Sequence, residues 1–188
     1  IVYKIWVVAL LLTVACKKNI DQLNQESKRA AAVPAGTLFN NAVKTLSDGM
    51  ASANVNVNIF RHVVKYWAQA TNQEEAQYDF NTRAVNAAWW TRMYRDILND
   101  LRDAKRIVTA NAGLTEGVKT NQLALLDIIE VYAWSVLVNS FGNVPYTDAL
   151  DNNKLFPVYD DAKTVYTDIL RKLAEDINNL NTGSNGFA

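Results

Sequence analysis

Six apolar side chains, Trp90, Tyr94, Ile97, Leu101, Ala104 and Val108, recur three or four residues apart. That is the period of an α-helix, so the segment near Ala84–Asn111 reads as one amphipathic helix whose stripe must be buried against neighbours. Its other face carries Arg92, Asp96, Asp103 and Arg106 at spacings where opposite charges meet. The same period predicts four companions. Helix A runs near Ala35–Met50 behind Pro34, with Leu38, Ala42, Val43 and Leu46 inward. Helix B runs near Asn58–Thr71, with Ile59, Val63, Tyr66, Trp67 and Ala70 as its stripe. Helix D runs near Thr115–Ser140, with Leu123, Leu126, Ile129, Ala133, Trp134 and Leu137 inward. Helix E runs near Asp160–Leu180 from an Asp160 or Asp161 cap, with Val165, Ile169, Leu173, Ile177 and Leu180 inward. Only three Pro and seven Gly occur, which disfavours a turn-rich β fold. The expected class is all-α: a tetratricopeptide-like stack of helical pairs, with the long helix and helix D as an antiparallel hairpin, although no regular 34-residue repeat is visible.

The front of the chain obeys other rules. After Lys4 an apolar run spans Ile5 to Val14, too short for a typical span of about 20 residues. It has the form of a signal-peptide core. Leu12-Thr13-Val14-Ala15-Cys16 resembles a lipobox, with Thr13 departing from the usual aliphatic residue. Lipid on Cys16 would anchor the chain, because each buried methylene contributes roughly 0.8 kcal/mol. Cys16 is the single cysteine, so no internal disulfide can form. Residues 1–15 are therefore read as signal peptide, 16–33 as a polar lipidated tether, and 34–188 as the helical domain. A Met upstream of Ile1 is expected.

Charge excludes one class of partner. Lys and Arg together number 19, as do Asp and Glu, so no basic field exists to draw nucleic acid. His62 has Asn58 and Tyr66 as helical neighbours and no ligand at metal-binding spacing. Asp127 and Glu130 share a helix face and read as a solvated edge or a structural ion pair rather than an acid–base couple. There is no Gly-rich phosphate loop and no nucleophile beside a base, so neither cofactor nor catalysis is expected.

The loop QEEAQYDFNTR places Tyr78 and Phe80 beside Asn81 and Arg83. Aromatic faces with hydrogen-bonding neighbours suit a sugar, which offers flat C–H faces and a rim of hydroxyls. The bland reading is that the rings fold over the core. Trp90 belongs to the stripe, whereas Trp89 points about 100° away; it either packs on helix B or adds to the ligand surface. Trp67 and Trp134 read as core.

Two linked segments carry a resemblance. SVLVNSFGNVPYTDAL ends a helix in FGNVPY, and PVYDDAKTVYTDILRKLAEDI opens the next with YD and a VY…IL…L pattern. With NAAWWTRMYRDI and the lipobox, they resemble the SusD/RagB family of surface lipoproteins, its SusD-like subgroup in particular, over about Leu12 to Leu180. Members of that family are longer, so the chain is expected to be the front portion of one. The resemblance implies a nutrient-binding lipoprotein of the outer-membrane surface that captures oligosaccharide or another nutrient for a TonB-dependent (SusC-like) transporter, without catalysis. The loop of Tyr78, Phe80, Asn81 and Arg83 corresponds to a region that can approach the ligand in related proteins, so these four are ligand-side candidates, with Trp89 added from its place on the helix. Two rival readings stand beside it: a helical-repeat scaffold that binds protein only, and an enzyme such as a helical glycan lyase or hydrolase.

Overall fold

Helix boundaries follow from what satisfies the free backbone groups at each end. A computed structural model describes residues 32–187. Cys16, the signal core and nearly all of the tether lie outside the described residues. The chain divides into two units, Ile1–Val33 and Pro34–Ala188, and the described helices all belong to the second. They are α1 (Ala35–Ala51), α2 (Phe60–Val63), α3 (Val85–Thr91), α4 (Asn99–Ala110), α5 (Glu116–Phe141) and α6 (Ala162–Asn179). A π-helical stretch, Arg92–Leu98, joins α3 to α4. Among the described residues there is no strand, only the isolated bridge Val144–Asp160, so the all-α class holds.

The long helix departs from its expected register. A π-helical turn takes in an extra residue, which rotates everything before it relative to the α-helix after it. Downstream, Ile97, Leu101, Ala104 and Val108 are buried as their spacing predicts. Upstream, the buried series is Val85, Trp89 and Met93, and it is Trp90 and Tyr94 that remain half-exposed. Trp89 lies against α1 at Gly49: a Cβ there would stand 3.0 Å from the indole, so any larger residue would press on the ring.

Helix B is corrected most. It keeps a single turn, α2, after which Lys65 takes φ +61° and the chain turns away. The last carbonyls of α1 need donors, and this segment supplies them. Asn58 Nδ2 donates to Gly49 O (3.1 Å) and Met50 O (2.9 Å), while Arg61 donates to Ser52 O (2.6 Å) and Ala51 O (3.1 Å). The β-branched run Val63–Val64 adds no helix propensity with which to resist. Tyr66 is consequently 83% exposed and Trp67 44% exposed, not core.

α5 is apolar on nearly every side, because it packs against α4 on one flank and α6 on the other. It has the length and hydropathy to cross a membrane, but in this unit it is the central core helix. Thr115 caps its start, accepting from Val118 N at 3.4 Å. It ends at Gly142, whose φ of +75° and ψ of −117° form a conformation open to glycine alone. α6 starts with Asp161 accepting from Thr164 N (3.0 Å), and buries Val165 and Ile169. Leu173 packs half-buried against the core as expected, and the expected stripe stops there. Ile177 is 56% exposed, and with Tyr166, Leu170 and Leu180 it lies on the outer side.

Candidate functional site

The FGNVPY and YDD segments meet, which explains why they go together. After Gly142, Val144 and Asp160 exchange backbone hydrogen bonds (3.3 and 2.9 Å). The Asp160 carboxylate accepts from Tyr146 N (2.9 Å), Thr147 N (2.8 Å) and Thr147 Oγ1 (2.9 Å). The Thr147 and Tyr146 amides hold its carboxyl below the usual carboxylate range. Asn143 Oδ1 accepts from Ala162 N at 3.0 Å, while Tyr94 OH donates to Pro145 O at 2.7 Å. Asp160 thus pins the turn and Asp161 caps the helix, as the helix-stop reading of this segment expects. Tyr146 extends the network. Its hydroxyl donates to Asp168 (2.5 Å) and accepts from Lys172 Nζ (2.6 Å). Burial pushes this phenol up to about 12, and the Tyr146 hydroxyl and Arg171 hold Asp168 down at about 2.

The end of α5, just ahead of this junction, forms one wall of a cleft of about 380 Å³. That is within the range of small-molecule sites. Its rings are Phe60 from α2, Phe80 from the loop, Trp89 from α3 and Phe141 from the end of α5. Asn86, Asn139 and Ser140 also line it, the Ser140 hydroxyl donating back to Val136 O at 2.7 Å. Phe60 stands edge-on to Trp89, with centroids 5.6 Å apart. The wall is therefore rigid aromatic surface with a few polar groups beside it.

The structure brings only part of the expected set together here. Phe80 and Trp89 line the cleft, though Trp89 is 5% exposed and forms wall rather than platform. Tyr78, Asn81 and Arg83 lie in the adjoining loop and do not line it. Tyr78 is 57% exposed, has φ +64°, and carries Lys65 Nζ 4.5 Å above its ring. Asn81 is exposed; its N–H, with that of Thr82, donates to Asp79 Oδ1 (3.0 and 3.1 Å), which fixes the turn. Thr82's hydroxyl and these amides hold the Asp79 carboxyl below its ordinary value. Arg83 is spent on structure: it pairs with the buried Glu75 at 3.3 Å and with Asn56.

Phe60, Asn86, Asn139, Ser140 and Phe141 were not among the expected site residues. Asn86 had a signal, since it precedes Trp89 by three positions and shares its helix face. Phe60 and Asn139 had none, because nothing local shows that α2 meets the end of α5. Asp127 and Glu130 form the structural ion pair foreseen as one alternative, with Lys105 of α4 as their common partner. Trp134 Nε1 also donates to Glu130, at 3.2 Å.

These features define the class as an all-α protein with an aromatic-walled cleft where three helix ends converge. The family model described as SusD-like_2, starch-binding associating with outer membrane, matches residues 27–188, and the chain belongs to that family. No curated protein matches the sequence.

Proposed function

We propose that this chain binds a starch-type oligosaccharide at the outer membrane and passes it to a TonB-dependent (SusC-like) transporter, catalysing nothing. One observation carries the reading: the cleft joins the rings of Phe60, Phe80, Trp89 and Phe141 to the side chains of Asn86, Asn139 and Ser140. A sugar presents the complement, apolar C–H faces and a hydroxyl rim. The description of the family as starch-binding supports the choice of ligand. Tyr78, Asn81 and Arg83 flank the cleft as a second tier, with the exposed ring of Tyr78 as the stacking candidate. Diacylglycerol on Cys16 provides the anchor and a surface location. A tether over residues 16–33 joins the anchor to the fold.

A protein-binding scaffold without a small ligand is the second reading, favoured by a different observation. Leu155, Phe156, Val158 and Tyr159 form an exposed apolar run in the loop before α6, and such patches commonly mark protein interfaces. Calorimetric titration of the purified chain with a soluble starch oligosaccharide separates the two. Saturable heat that disappears in a Phe80→Ala, Tyr78→Ala double variant upholds the first. A folded chain that gives no heat with starch, cellulose or xylan fragments overturns it. Cys16→Ala should release the protein from membranes; unchanged membrane association would defeat the anchor.

A further inference from the structure

Among the described residues, Lys105 of α4 is the cation that faces three carboxylates where α4, α5 and α6 meet. Its Nζ pairs with both Asp127 and Glu130 of α5. Burial works against its charge, yet Glu130 and Asp127 outweigh burial and hold the ammonium above its ordinary value. The third carboxylate, Asp176 of α6, receives no such partner. It is 8% exposed, and its Oδ2 is buried without a hydrogen-bond partner. On its own helix the nearest charges are Glu175, exposed, and Lys172, which is taken by Tyr146 and Asp168. The chain after α6, residues 181–187, carries no titratable group. With all three acids ionised, the junction holds three negative charges against one positive.

We propose that Asp176 is a proton-operated latch: protonated, it lets the last turns of α6 close on α5, and ionised, it loosens them. Neutral Asp176 brings a hydroxyl donor to a junction otherwise rich in acceptors. Ionised Asp176 brings a buried charge without a partner, which is the costlier state. The neighbouring strap gives the latch something to control. Just beyond α6, Asn121 of α5 donates to Asn181 O and Ser184 O (both 2.7 Å) and accepts from Asn181 N (2.7 Å), while Gln122 donates to Gly186 O (3.1 Å). Loosening α6 at residue 176 releases that strap.

Burial first, then Asp127, pushes Asp176 up to about 6, with Lys105 opposing and Glu175 and Glu130 adding. A carboxyl raised in the folded state costs nothing below its unfolded value. The cost grows as pH rises from the unfolded value towards about 6 and is complete above it. Set against the ordinary value of 3.8, this elevation corresponds to roughly a hundredfold in equilibrium constant.

The test compares the intact chain with Asp176→Asn. Between pH 3 and 8, the folding constant of the natural chain should fall by up to about a hundredfold relative to the variant. Amide protection in residues 173–179, corrected for intrinsic exchange, should fall over the same range in the natural chain alone. A ratio that stays constant over this range overturns the latch. Carbon-detected NMR titration of the natural chain tests it independently of whether the variant folds: a midpoint near 6 for the Asp176 carboxyl supports the proposal, and one near 4 sinks it.

Discussion

Phe60 meets Trp89 edge-on, at 5.6 Å between centroids and 86° between planes. One ring comes from a single turn of helix and the other from the start of the long helix. This pair therefore ties the loop layer to the core. Edge-to-face aromatic pairs contribute about 0.5–1.5 kcal/mol beyond their buried area.

Truncating Trp89 removes both the pair and the contact with Gly49. Trp89→Ala should cost about 3–5 kcal/mol, and Phe80→Ala, at the half-buried mouth, far less. Denaturant midpoints of the two variants check the ranking. Equal losses would show that the loop is core rather than rim.

That pair also marks where the sequence could and could not be read. The apolar period of 97–108 and the positions of α1, α5 and α6 were legible, because each depends on residues close in the chain. The exchange of Trp89 for Trp90 was not. Both fit a straight helix, and the π-helical turn at Arg92–Leu98 that chooses between them is selected by tertiary packing. Helix B failed for a similar reason: Asn58 and Arg61 cap α1, a long-range demand that no local pattern announces. The loop aromatics were legible as a site by composition. The cleft needed Asn139 and Phe141 brought from the far end of α5.

Gly142 combines φ +75° with open space, since no atom lies within 4 Å of where a Cβ would be. Gly142→Ala should therefore cost about 1–3 kcal/mol purely through backbone strain. Thermal unfolding measures it. A neutral result would mean that the turn relaxes, and the Tyr146 amide bonded to Asp160 would then lose protection from exchange.

Lys105 neutralises Asp127 and Glu130 in a partly buried setting. Lys105→Met leaves both acids uncompensated and should cost about 1–3 kcal/mol at neutral pH, tempered by partial solvation. Lys105→Arg, which keeps the charge, should recover most of the loss. An equal loss in both variants would argue against the charge account.

Asp168, held at about 2 by Tyr146 and Arg171, works in the opposite sense to Asp176. A depressed carboxyl contributes stability that is complete above its unfolded value and is lost as pH falls through about 2. Asp168→Asn should lower stability by about 1 kcal/mol at pH 6, given solvent screening. The difference should vanish near pH 2. Melting curves from pH 2 to 6 decide it.

Sugar binding in the cleft between α2, α3 and the end of α5 is tested most directly by amide chemical-shift mapping with a soluble starch oligosaccharide. Saturable shifts concentrated at Tyr78, Phe80, Asn86, Asn139 and Ser140, with α6 unmoved, are the predicted result. Shifts centred on Leu155–Tyr159, or none at all in a folded chain, would contradict it.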